Sequence, residues 1–116
     1  MRQFSNSAVV SLVAALAVAM VSMASGAPAG AAKPATHTVA IDGTKFAPAD
    51  VTVAVGDSIV WVNKDPYPHT ATSKTGGFDS RSIESDTSWK YTAKKKGDFP
   101  YVCTIHPSMT GTVHVK

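Results

Sequence analysis

From Thr36 onward the chain alternates apolar and polar residues in short runs separated by turn residues, and this period of two limits its fold more than anything else in it. Thr36–Ile41 places Val39 and Ile41 on one side and stops at Asp42-Gly43. Asp50–Val55 carries Val51, Val53 and Val55, and Gly56-Asp57 turns it into Ser58–Asn63. That run is apolar on both faces through Ile59, Val60, Trp61 and Val62, as suits a strand between two packed layers. Thr87–Thr92, Asp98–Cys103 and Thr110–Lys116 complete the set. Side chains of a strand point alternately to opposite faces, so each run can bury one face and wet the other. With turns at intervals of roughly ten residues, the pattern predicts an all-β fold, an antiparallel β-sandwich. No segment past the N-terminal stretch has helical periodicity. Thr72–Asp86, rich in Ser, Gly and Asp, reads as a long loop or a distorted edge strand.

The N-terminal stretch follows a different rule. Arg2 is followed by an apolar run from Ala8 to Val21, broken only by Ser11, and then by the small residues Ser22–Ala27. This is the pattern of a secretory signal peptide over residues 1–26, with cleavage after Ala24 or Gly26. An uncleaved N-terminal anchor is the other reading. Residues 27–35 form a Pro/Ala/Gly lead-in, and residues 36–116 form the domain. Removing the signal leaves about 90 residues, one small domain with a single core. The expected location is periplasmic, without stable membrane insertion, and the expected state is a monomer. The formal charge of +3 falls by one with Arg2, too weak a balance to suggest nucleic acid.

The chemistry concentrates in Cys103-Thr104-Ile105-His106-Pro107-Ser108-Met109, which holds the only Cys of the chain. A thiolate, an imidazole and a thioether at Cys-x-x-His-x-x-Met spacing favour copper over hard ions. Two His, one Cys and a weak axial Met make a blue-copper ligand set. A second His is needed, and three remain. His114 alternates outward between the inward Val113 and Val115, and His37 lies at the start of the first strand beside the lead-in. His69 follows Asn63-Lys64-Asp65-Pro66-Tyr67-Pro68, a loop stiffened by two prolines as it leaves the most apolar strand. By elimination His69 is the second imidazole, and the expected metal ligands are His69, Cys103, His106 and Met109.

These features together resemble the cupredoxins, single-domain blue copper proteins of the plastocyanin and amicyanin kind. The resemblance rests on Asn63 six residues before His69, the Pro68-His69 pair, the aromatic strand Phe99–Val102 feeding Cys103, the short Cys-x-x-His-x-x-Met loop, and His106-Pro107. It implies a Greek-key sandwich holding one type 1 copper ion that alternates between Cu(II) and Cu(I). It also implies an electron carrier, not an enzyme, whose His106 protrudes through an apolar patch toward redox partner proteins. By family analogy these are a dehydrogenase donor and a cytochrome-type acceptor, and Pro66, Pro68 and Pro107 are candidates for the rim. Two positions depart from the family. Val102 stands where plastocyanins of plants carry an exposed Tyr, and Thr70 stands where many relatives place an Asn that ties the ligand loops together.

Other readings are weaker or remain open. A Cys103–His106 nucleophile pair would need a substrate pocket and an oxyanion site, for which the domain offers little. A copper oxidase or nitrite reductase would need further His clusters. A copper storage or delivery protein, or a site filled by zinc, remains the alternative, because the same ligands hold either metal. Lys94-Lys95-Lys96 precedes the strand that ends at Cys103, about 17 Å away at roughly 3.3 Å per residue, so it is expected at the end remote from the metal, as a solvated turn.

Overall fold

A computed structural model describes residues 33–116; the segments read as signal peptide and most of the lead-in lie outside the described residues. Eight strands form: β1 (Thr36–Ile41), β2 (Phe46–Ala47), β3 (Asp50–Val53), β4 (Ser58–Asn63), β5 (Thr72–Ser73), β6 (Ser88–Thr92), β7 (Gly97–Val102) and β8 (Thr110–Val115). They build two four-stranded sheets, ordered β2-β1-β4-β6 and β3-β8-β7-β5. Among the described residues there is no helix long and apolar enough to cross a membrane.

The β-sandwich expectation holds, with one difference in pairing. Each sheet contains a parallel pair, β1 with β4 and β3 with β8, beside its antiparallel pairs. Parallel neighbours need a crossover rather than a tight hairpin. Here the chain crosses to the other sheet for β3 before returning as β4 alongside β1. Local alternation reports which face is buried but carries no signal for strand direction. The Thr72–Asp86 region has little regular structure, with short β5 and the isolated bridges His69↔Ile83 and Thr72↔Asp79.

The core follows the alternation. Val39, Ile41, Ile59, Trp61, Tyr101 and Val113 are fully buried between the sheets. Trp61 packs edge-on against Tyr101 with ring centroids 5.4 Å apart, and its other neighbours are Phe78 at 5.5 Å and Trp89 at 5.6 Å. Such pairs add about 0.5–1.5 kcal/mol each beyond the area they bury. Burial pushes the Tyr101 phenol up to about 12, so it stays neutral in the core at ordinary pH. Its strand partner is Gly111, and a Cβ there would lie 2.6 Å from the Tyr101 hydroxyl and 2.5 Å from the Ala49 carbonyl oxygen. Gly111→Ala should therefore destabilise the fold by about 1–3 kcal/mol, read as a lower urea midpoint.

At the start of β4, Asp57 joins three pieces of chain. Its carboxylate accepts the Ala35 and Ala54 N–H groups at 2.9 and 3.0 Å and contacts His37 Nε2 at 3.0 Å. The Ala54 and Ala35 hydrogen bonds, then His37, lower its pKa from 3.8 to about 2. A depressed folded-state pKa gives stability that is present above the unfolded value and lost as pH falls through the folded one. Asp57→Asn should thus flatten the loss of stability between about pH 4 and pH 2, seen in acid unfolding followed by circular dichroism.

Candidate metal centre

The β4 strand ends at Asn63 and β7 ends at Val102, and both chain segments emerge at the same end of the sandwich. The β4 exit is organised by Asn63, which is fully buried. Its amide N–H groups donate to the Tyr67 and Ile83 carbonyls, both at 2.9 Å, and its Oδ1 accepts the Asp65 N–H at 2.9 Å. The loop thereby closes over its own first residues. His69 follows with its backbone paired to Ile83 in both directions, at 3.1 and 2.7 Å.

Asp65 fixes the His69 ring. Its carboxylate, almost wholly buried, lies 2.7 Å from His69 Nε2 and accepts the Gly43 and Thr44 N–H groups at 2.7 and 2.9 Å. Burial pushes this carboxyl up, but the Thr44, Gly43 and His69 hydrogen bonds outweigh it and hold the pKa below its ordinary value. An ionised carboxylate can only accept, so Nε2 carries the proton and Nδ1 offers its lone pair. That Nδ1 faces Cys103 Sγ at 3.7 Å.

Cys103 is buried at the start of the second loop, and Thr70 N–H points at its sulfur at 3.3 Å. Donors on a thiolate sulfur tune the metal–sulfur bond and its potential. Thr70 also ties the two loops through its hydroxyl, which accepts the Thr104 N–H at 2.9 Å and lies 3.2 Å from the Thr104 hydroxyl. The two loops are thus joined at the position where Thr70 departs from the family's Asn. The second loop closes on itself, with Met109 N–H donating to His106 C=O at 2.9 Å and Cys103 N–H donating to Met109 C=O at 3.1 Å. Met109 is buried beside Cys103 as a result.

The ligand atoms of His69, Cys103 and His106 all lie within 4.8 Å of one another, the one such group among the described residues. His106 Nδ1 is buried without a hydrogen-bond partner. A buried imidazole nitrogen left alone beside a sulfur and a second free imidazole nitrogen is what a soft, thiolate-accepting ion would require. The two other histidines are engaged elsewhere: His37 with Asp57, and His114 Nδ1 with Asp98 at 2.7 Å.

Exposed apolar side chains, Ile105 and Pro107, flank His106 in its loop, next to the exposed Thr104 and Ser108. Of the three prolines expected at the rim, Pro66 and Pro107 are exposed and Pro68 is half-buried. The larger contributors are Tyr67 and Ile105, 44% and 48% exposed. The Tyr67 ring packs near both imidazoles, with centroids 5.4 Å from His69 and 6.0 Å from His106. Sequence reading passed over Tyr67 and the Asp65 carboxylate. The i,i+4 spacing of Asp65 and His69 was the available signal for the latter.

The Cupredoxin-like domain family model matches residues 12–115. The chain belongs to the cupredoxin-like family. It is 31% identical to amicyanin of Paracoccus versutus over 83 residues, which cover 67% of this chain and 63% of that relative, slightly under two thirds of its length. Amicyanin-alpha of Methylorubrum extorquens is 30% identical over 111 residues, covering 91% of this chain and 89% of the relative. Among solved structures, the Cu(I) form of a point variant of amicyanin superposes with a TM-score of 0.65 at 26% identity, over 70% of this chain and 82% of that one. Both parallel pairs, the closed loop and the Pro-stiffened His69 segment thus sit in a cupredoxin frame.

The Asp65 carboxylate generates a specific expectation. Asp65→Asn removes the charge that fixes the His69 tautomer and places an amide N–H₂ among existing donors. Metal affinity should fall about 10–100-fold, the usual cost of losing such a supporting group, in a competition titration against a chromophoric chelator. Unchanged affinity would show that backbone pairing to Ile83 alone holds the ring.

Proposed function

We propose that this cupredoxin-like chain is an exported one-electron carrier that binds a single copper ion through His69, Cys103, His106 and Met109. The observation that carries this reading is that ligand atoms of His69, Cys103 and His106 lie within 4.8 Å of one another while His106 Nδ1 is buried and unpartnered. Copper fits that donor set, and when bound it would supply a reversible one-electron couple. The chain's own residues supply rigidity. Asp65 and Ile83 hold His69, Thr70 braces Cys103, and the two hydrogen bonds inside the Cys103–Met109 loop limit how far the ligands can shift. A site that shifts little between oxidation states lowers the reorganisation that accompanies each transfer.

His106 is the exit for the electron. Its Nδ1 faces inward, and the half-buried ring is framed by Tyr67, Ile105, Pro66 and Pro107, an apolar rim suited to brief contact with redox partner proteins. A dehydrogenase donor and a cytochrome-type acceptor are the partner classes proposed, with the exported chain acting in the periplasm. Residues 1–26 would serve as the signal peptide.

Protein reconstituted with copper(II) should be intensely blue through thiolate-to-copper charge transfer and should give a reversible voltammogram. Cys103→Ser should abolish the colour, and His69→Ala should open the site to added imidazole. A colourless copper(II) protein, or one without a reversible wave, would move the assignment to copper storage or delivery.

A further inference from the structure

The end of the sandwich opposite the metal loops has its own chemistry. The strand registers bring the start of β1, the end of β3, the start of β4, the end of β6, the start of β7 and the end of β8 to that end. Lys94, Lys95 and Lys96 fill the connection from β6 to β7 there, Lys116 follows β8, and Lys33 precedes β1; all five are exposed. Two aspartates accompany them, Asp57 bound to His37 and Asp98 bound to His114. The rest of the described chain holds four lysines and one arginine against six carboxylates. The molecule is therefore polarised along its strands, basic at one end and slightly acidic over the remainder. Val55, 46% exposed, adds an apolar side chain to the basic end.

We propose that this lysine-rich end is a docking surface for an anionic lipid bilayer. Three observations favour a lipid surface over a protein partner. The charge is a broad cluster of flexible lysines without an arginine, as suits attraction to many headgroups rather than fixed bidentate recognition. The cluster is separated from Asn63, where the chain leaves for the metal loop, by the length of β4, about 17 Å at roughly 3.3 Å per residue. Electron tunnelling decays steeply over such a distance, so a redox partner docked there would be poorly coupled. The third observation is the point at which the remaining chain joins. Asp57 pins Ala35 to this end through a 2.9 Å hydrogen bond, so the described chain begins, at Lys33, on the lysine side of the domain. Before signal cleavage, a segment held in the bilayer keeps the basic end of the domain nearest the headgroups. Adsorbed in this way, the domain turns His106 and the apolar rim into solution, where partners can reach them.

The test uses the protein as cells export it, mixed with vesicles of phosphatidylglycerol and phosphatidylcholine or of phosphatidylcholine alone, and followed by co-sedimentation. Binding should require the anionic lipid and should weaken from about 0.01 M to about 0.15 M salt as the Debye length contracts. The triple variant Lys94→Gln, Lys95→Gln, Lys96→Gln should bind on the order of 100-fold more weakly, from roughly fivefold per lysine near the surface. Circular dichroism should show that its fold is intact. Lys45→Gln with Lys64→Gln, at the opposite end, should leave binding unchanged. Equal adsorption to neutral vesicles, equal loss in both variants, or binding of the lysine end to an acidic protein with none to vesicles would overturn the proposal.

Discussion

The buried carboxylate of Asp65 is the interaction on which the candidate centre depends. Two of its hydrogen bonds hold the turn after β1, where Gly43 and Thr44 both adopt φ of +60°. For a β-branched residue such as Thr44 this left-handed conformation costs roughly 1–2 kcal/mol. Hydrogen bonds to a charged acceptor contribute about 1.5–3 kcal/mol each, enough to offset that cost. The third contact sets the proton on His69 Nε2 and leaves Nδ1 for the sulfur. A turn more than twenty residues earlier in the chain thus helps decide which imidazole nitrogen faces Cys103.

The same device appears at the other end of β4. Asp57 immediately precedes the strand and holds Ala35, just before β1, while Asp65 follows the strand and holds Gly43 and Thr44, just after β1. Because β1 and β4 run parallel in the register Thr36↔Ser58 to Ile41↔Asn63, each carboxylate reaches the matching end of its neighbour. No tight hairpin can fix the register of a parallel pair. Here two acidic residues flanking one strand do so, one knot bearing on the N-terminal lead and the other on the metal loop.

Much of this could be read from the residues alone, and the parts that could not have physical reasons. Alternation located six of the eight strands to within a residue or two, because burying one face of a sheet imposes a period of two over several residues. Phe46–Ala47 and Thr72–Ser73 are too short to show any period, and their existence depends on partners elsewhere. Strand direction escaped as well, since Val51 and Val53 point inward whichever way β8 runs beside them. The ligand candidates were legible because Cys103, His106 and Met109 share one tight loop and the other histidines have plain alternatives. Asp65 was not, because an acid beside a proline looks like ordinary turn chemistry until Gly43 and Thr44 are seen to converge on it. Tyr67 escaped for a similar reason: its nearness to both imidazoles is a property of two loops meeting.

The arrangement also bears on why the second loop is so short. Cys103 opens it and Met109 closes it, and a single backbone hydrogen bond between them leaves His106 at its outer edge. The loop can therefore present Nδ1 inward and the opposite edge of the ring outward without further support. A buried nitrogen lacking a partner costs about 1–3 kcal/mol. The loop sustains that cost through its internal hydrogen bonds and through Thr70, which reaches both Cys103 Sγ and the Thr104 N–H from the other loop. Whatever engages His106 Nδ1 removes the cost and adds to the stability of the fold by mass action. Metal affinity and domain stability are thus coupled through one nitrogen, and the coupling requires that the two loops stay joined. Thr70 joins them through two groups, its hydroxyl bearing on the stability of the sandwich and its backbone N–H on the electronic character of the sulfur.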